Sequence, residues 1–185
     1  MSKVTIQGDA SGTGIFTIAS PNSNTDRTLV LPDEAGTVLT TAGVPASAMP
    51  AGSVIQVVSA NGAANTITTS TSFIDTDLVV TITPTSSSSK IYVVATGGFD
   101  NNTSGRQGYV TLDRNGTNLG NGTSGFTFVY GSTSRMIVPW AASFLDSPAT
   151  TSAVTYKVQI RAVAGTVEFS GGTSKKTITV MEIAA

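Results

Sequence analysis

The chain has 185 residues, enough for one domain with an appendage, and only 11% of them are charged, against roughly 25% in ordinary globular proteins. Ten basic and eleven acidic side chains give a net charge of −1, and Lys175-Lys176 is the single basic pair, so the clustered cations that nucleic acid requires are missing. With no cysteine and no histidine, disulfides, thiolate nucleophiles, imidazole acid–base chemistry and zinc sites are excluded.

Serine and threonine fill the gap left by charge, at about 28% of the residues. Threonine suits the pleated surface of a sheet, and serine, asparagine and glycine serve turns. The opening MSKVTIQGDASG lacks the apolar core of a secretory signal, and no apolar run reaches membrane-spanning length. The expectation is a protein made in a cytoplasm, without a membrane partner.

In chain order, the first element is TDRTLVLPDEAGTVLT, residues 25–40, which reads as two short strands around a Pro32-Asp33-x-x-Gly36 turn. An isolated hairpin is marginal in water. Leu29, Leu31, Val38 and Leu39 are therefore expected to pack against another protein. Residues 42–52, AGVPASAMPAG, are small residues with two prolines and read as a semi-extended linker. This divides the chain into an N-terminal arm with linker, 1–50, and a β domain, 51–185.

Beyond the linker the hydrophobic period is two throughout, with no convincing amphipathic helix. Strands are expected over 53–59, 77–83, 90–96, 108–114, 126–130, 135–140, 143–146, 154–163, 166–169 and 176–183. In VTYKVQIRAV, Val154, Tyr156, Val158, Ile160 and Ala162 share one face and Thr155, Lys157, Gln159 and Arg161 the other, as in an antiparallel strand wetted on one side. Asn61-Gly62, Asn115-Gly116 and Asn121-Gly122 read as tight turns, the second closing a hairpin in TLDRNGTNLG. Short strands at this spacing make a sandwich, a jelly roll or a barrel.

Candidate sites are few. Gly122-Thr123-Ser124-Gly125 does not match a nucleophile elbow and has no base to serve it. Asp100-Asn101-Asn102-Thr103-Ser104-Gly105 is similar to the opening of a calcium loop, but its twelfth position is Thr111, so a polar inter-strand loop is the better reading. Asp75 and Asp77 could pair for acid–base work on glycosides, though strand-end capping or solvation explains them more simply. Trp140, Phe126, Phe128, Tyr130 and Phe144 could line a sugar groove; since Phe126, Phe128 and Tyr130 alternate, one wall of the core accounts for them. No catalytic set, metal site or cofactor is expected, and the protein is read as a non-enzyme.

Two blocks carry a family resemblance. GTGIFTIASPNSNTDRTLVLPDEAGTVLT, residues 12–40, resembles a segment of tailed-bacteriophage structural proteins with an R-T-[LI]-x-L-P-D-x-x-G-T motif, here Arg27, Thr28, Leu29, Leu31, Pro32, Asp33, Gly36 and Thr37. PAGSVIQVV (50–58), RNGTNLG (114–120), SFLDSPATTSAVTYKVQIRA (143–162) and TITVMEIAA (177–185) are similar to β-rich domains of phage fibre and virion-surface proteins. The resemblance implies an all-β, antiparallel, jelly-roll-like sandwich with an extended N-terminal arm, assembled as a homotrimer. It implies a capsid decoration (cement) protein on the virion surface, made in the host cytoplasm. Its arm would dock on the major capsid protein through Arg27, Leu29, Leu31, Pro32, Asp33, Gly36, Val38 and Leu39. The alternative is a short tail or head fibre whose β domain binds host-surface glycan. The lack of a coiled-coil, β-helix or repetitive shaft favours decoration.

Overall fold

The period-two segments build eleven strands in a computed structural model that describes residues 48–132, 135–170 and 174–185, together with 11–15, 17, 22–26, 28 and 44. These are β1 (Val54–Gly62), β2 (Thr66–Thr68), β3 (Ile74–Ile82), β4 (Lys90–Asn101), β5 (Arg106–Arg114), β6 (Thr117–Asn118), β7 (Thr127–Gly131), β8 (Met136–Asp146), β9 (Val154–Ala162), β10 (Val167–Ser170) and β11 (Lys176–Ile183). The chain divides into two units, Met1–Val38 and Leu39–Ala185, and every described strand belongs to the second.

The first sheet is organised on β4. Strand β8 lies along one edge of it from Ile91 to Asn101. The other edge is shared: Lys90–Thr96 pairs with β11, and Gly98–Asn101 with β10. Outside these, β1 pairs with β11 and β2 with β10, so β1/β2 and β10/β11 act as two long strands, each interrupted at the same level. The second sheet runs β3, β9, β5, with β6 and β7 sharing the far edge of β5. All pairings are antiparallel, and the two four-ribbon sheets have the strand order of a jelly roll. The antiparallel jelly-roll-like sandwich expected from the sequence is the fold of the β domain.

Alternation sets the core. Every second residue of β9 from Val154 to Ala162 is buried, and so are Leu78, Val80 and Ile82 of β3 and Ile91, Val93 and Ala95 of β4. Trp140 closes one end, its ring 5.7 Å from Phe169 in an edge-to-face contact. Each such aliphatic or aromatic side chain contributes about 1.5–3 kcal/mol by leaving water.

Two local expectations are corrected. Strands over 135–140 and 143–146 are one strand, β8; Pro139 sits inside it without penalty because β8 pairs only with β4 and has a free edge. Asn61-Gly62 is not a turn but the end of β1, paired with Thr177 and Lys176. Asn115-Gly116 has the backbone of a two-residue hairpin turn, with φ of 48° and 88°, and Asn121-Gly122 opens a tight loop closed by the Asn121–Gly125 bridge, both as expected.

The inward face of β11 reads Lys176, Ile178, Val180, Glu182, so it is charged at both ends and apolar between, and all four are buried. Each charge has a fitted environment. Gly62 lies opposite Lys176, and a Cβ there would stand 2.5 Å from the lysine Cε. The Lys176 ammonium pairs with the Asp77 carboxylate and donates to the carbonyl of Ala64. Asp77 in turn accepts the N–H groups of Ala63 and Ala64, both at 2.8 Å. At the other end Gln56, opposite Glu182, donates to it at 2.6 Å, and Thr85 donates through both N–H and hydroxyl at 2.7 and 2.8 Å. A third cluster joins Arg114, whose Nη1 donates to both oxygens of Asp146 at 2.7 and 2.9 Å, to the Tyr156 hydroxyl, which donates to the same carboxylate at 2.7 Å. Burial, reinforced by that carboxylate, pushes the Tyr156 phenol well above its ordinary range.

Asp77→Ala leaves a buried ammonium unpaired and should cost about 3–5 kcal/mol in urea unfolding, whereas adding Lys176→Met to it should recover part of the loss. A double variant no more stable than Asp77→Ala would show the ammonium to be indifferent to its partner. Burial works against ionisation of Glu182, but hydrogen bonds from Gln56, Ser89 and Thr85 hold its carboxyl below the usual range; Asp77 behaves alike, held by Lys176 and the two N–H groups. Their stabilisation is therefore complete above roughly pH 4–5 and is lost as pH falls through the lowered folded values. Urea midpoints measured from pH 7 down to pH 2.5 should fall on the acid side, and less steeply for Glu182→Gln than for the parent.

Candidate functional site

The expected docking residues Arg27, Leu29, Leu31, Pro32, Asp33, Gly36, Val38 and Leu39 lie outside the described residues. In the β domain, the groups that suggested chemistry in the sequence are engaged in structure. Asp100 ends β4, buried, and takes the guanidinium of Arg135, with Nε at 2.6 Å. Asn101 donates to the carbonyls of Arg106 and Val129 and accepts from the Thr103 N–H, closing the polar loop by which β4 of the first sheet leads to β5 of the second. Thr111, the twelfth position, is buried in β5 with its hydroxyl on Asn118. Among the described residues no three acidic side chains come together as a metal site.

Asp75 and Asp77 are each paired to a cation, and Asp77 also caps the backbone beyond the end of β1. Lys157 Nζ lies 2.6 Å from Asp75, and Gln159 adds a donor at 2.7 Å. Asp77 sits in a bulge where the register of β3 against β9 shifts between Asp75 and Val79, and from there it reaches Lys176. The two carboxylates thus serve separate cations. Ser124 is part of a tight loop in which the N–H groups of Ser124 and Gly125 both donate to the Asn121 carbonyl.

What the fold leaves available is two outer sheet faces of different chemistry. On the first sheet, cross-strand rows read Asn61, Thr177, Thr96, Ala141; then Ser59, Thr179, Val94, Ser143; then Val57, Met181, Tyr92, Leu145. Hydroxyls pair across strands, Ser59 with Thr179 at 3.0 Å and Thr96 with Thr177 at 3.1 Å. These rows carry no charge, and the last is apolar from edge to edge, with Val57 and Leu145 exposed. Beyond them a shallow depression of about 680 Å³ lies over Gly98, between Thr96, Ile137, Pro139, Ala141 and Lys175.

The second face is aromatic and polar. A row crosses it from Phe73 through Arg161 of β9 and Tyr109 of β5 to Phe128 of β7. The Arg161 guanidinium stands 4.2 Å from the centre of the Tyr109 ring and 5.4 Å from that of Phe73. Its nitrogens donate to the carbonyls of Thr123 and Thr71. Tyr109 leans on Phe128, with ring centres 5.8 Å apart and planes at 41°. Its hydroxyl donates to Gln107 Oε1.

The aromatic run 126–130 is therefore not one core wall. Phe126 precedes β7 and packs inward, edge-to-face on Phe144 at 5.7 Å, and Val129 also meets the core. Phe128 and Tyr130 face solvent, 53% and 49% exposed, while Trp140 is core. Entry into the strand at Thr127 reverses which side the alternation presents. Sequence reading missed Phe73, Gln107, Tyr109 and Arg161; the signal available was Arg161 on the wet side of β9.

A scan against protein-family models finds none that matches the chain, and a search of curated proteins finds no similar sequence.

Arg161 is pinned by geometry that a lysine lacks: a planar fork facing two carbonyls between two rings. Arg161→Lys should lower stability by about 1–2 kcal/mol in chemical denaturation and reduce near-ultraviolet circular dichroism from Tyr109. An unchanged midpoint would mean that the guanidinium does not brace the face.

Proposed function

We propose that the chain is a structural component of a tailed-phage virion, most specifically a trimeric decoration protein whose N-terminal arm docks on the major capsid protein. The observation that carries the reading is the R-T-L-x-L-P-D-x-x-G-T motif at 27–37 ahead of a β domain whose strands already form a complete jelly roll. A domain that closes its own core does not need the aliphatic residues of the arm, so they are free to serve a partner. Extended arms dock by adding a strand to a partner sheet, with backbone hydrogen bonds for affinity and alternate side chains for register. Three arms on one trimer multiply the attachment without new contacts. The uncharged rows on the outer face of the first sheet suit self-association, because like copies can approach there without repulsion. The role is mechanical: tying neighbouring capsomers together against the pressure of the packaged genome.

A second reading, a short fibre that binds host-surface glycan, is favoured by one observation, the solvent-facing rings of Phe128 and Tyr130.

Deleting residues 1–41 should leave a folded, trimeric β domain by sedimentation that no longer binds capsids stripped of decoration. Saturable binding of the truncated protein would remove the arm from the docking role. Copy number per virion separates the two readings, with hundreds for decoration and a few dozen or fewer for a fibre.

A further inference from the structure

We propose that the outer face of the second sheet is a binding platform for a neutral saccharide, with the rings of Phe128 and Tyr130 as the stacking surface and Gln107 as the orienting polar group. The two rings are two residues apart on β7, which places them on one side and roughly 7 Å from each other. About half of each is exposed. The fold does not need them for its core, since Val129 between them supplies the inward contact of this strand.

The platform is mounted rigidly. Register sets Tyr109 beside Phe128 and Gln107 beside Tyr130, so one ring and one amide back the two exposed rings. Tyr109 is clamped between Phe128 and the Arg161 guanidinium. Its hydroxyl fixes Gln107 Oε1 and thereby the plane of the amide, and Gln107 Nε2 has no partner among the described residues. An oriented donor next to two exposed rings fits a pyranose, whose C–H face stacks on an aromatic ring while its hydroxyls accept hydrogen bonds at the rim. Fixed aromatic surface with a few placed polar groups is the usual make-up of a small-molecule site.

Charge decides the ligand class. The nitrogens of Arg161 face the Thr123 and Thr71 carbonyls and its flat face is covered by Tyr109. Lys157 and Asp75 neutralise each other. Among the described residues, the cations in the outward rows of this face are all engaged, and Arg106, next to Gln107, has the opposite parity on β5, so the saccharide is neutral. Two rings in polar surroundings also fall far short of the roughly 800 Å² per partner that a stable protein interface buries. The inference deepens the second reading, whose two rings it uses, and holds equally for a decoration protein; copy number per virion and loss of capsid binding on arm deletion bear on the role of the chain and leave this site untouched.

The test is saturation-transfer NMR on the full chain with methyl glycosides of glucose, galactose, mannose and N-acetylglucosamine, their disaccharides, and a sialoside as the anionic control. At least one neutral probe should show transfer to the C–H protons of one pyranose face. Phe128→Ala with Tyr130→Ala should abolish it, and Gln107→Ala should weaken binding about tenfold, all with the folded far-ultraviolet circular dichroism retained because these side chains lie outside the core. Three results would overturn the proposal: no transfer from any neutral probe, undiminished binding in the double alanine variant, or stronger binding of the sialoside. A change of oligomeric state in the double variant would assign the rings to contacts between copies and overturn it too.

Discussion

The Lys176–Asp77 pair is the constraint on which the rest of the sandwich depends. The first sheet is continuous only if β1/β2 and β10/β11 keep register across the level where both are interrupted. At such a level ladder hydrogen bonds stop, and the backbone N–H and C=O groups there need other partners. The pair supplies those partners: Asp77 takes two N–H groups from the gap in β1/β2, and Lys176 gives to a carbonyl in the same gap. Because Asp77 belongs to β3, the interaction also ties the edge of the second sheet to the middle of the first. Space for it comes from glycine. Gly62 leaves room for the lysine stem, and a Cβ on Gly97 would stand 2.5 Å from the Phe169 ring and 3.2 Å from Lys176 Cβ.

That use of charge recasts the composition. An 11% charged chain suggests a surface that avoids ions, but many of the few charges present are consumed internally. Arg114 with Asp146, Arg135 with Asp100, Lys157 with Asp75 and Lys176 with Asp77 are all ion pairs. Arg161 is taken up by carbonyls and rings. The outer faces are left to hydroxyls, amides and a few exposed apolar side chains. Neutral faces do not steer charged partners over distance, so recognition by this domain rests on shape, stacking and backbone pairing.

Alternation was legible where both neighbours of a strand are strands. The span 176–183 and the two faces of β9 follow the sequence pattern because one side meets the opposite sheet and the other meets water. Legibility failed where tertiary context reassigns a local signal. Asn61-Gly62 has turn chemistry, yet its glycine is required by the lysine across the ladder. Ala141-Ala142 reads as a break between two strands, but β8 runs through it paired to β4 along its whole length. Phe126, Phe128 and Tyr130 share a parity, and the backbone leaves the strand between the first and the second, so one goes to the core and two to solvent. Asp77 carries no sequence mark of its role, because its partner is 99 residues further along and meets it only through the β3 bulge.

The same features set how the domain would act as part of an assembly. A platform of two rings and one amide gives weak contact per copy, since little area is buried and only a few groups are ordered by it. Weak contacts become useful when many copies are held at fixed spacing, because the second and later contacts are then intramolecular. In the proposed decoration role, docking through the arm would supply that arrangement. The braced row Phe73–Arg161–Tyr109 works in the same direction, because a platform already held in its binding geometry loses less conformational freedom when a ligand arrives. In the proposed role, anchoring falls to a partner-dependent arm and recognition to a sandwich that closes its own core.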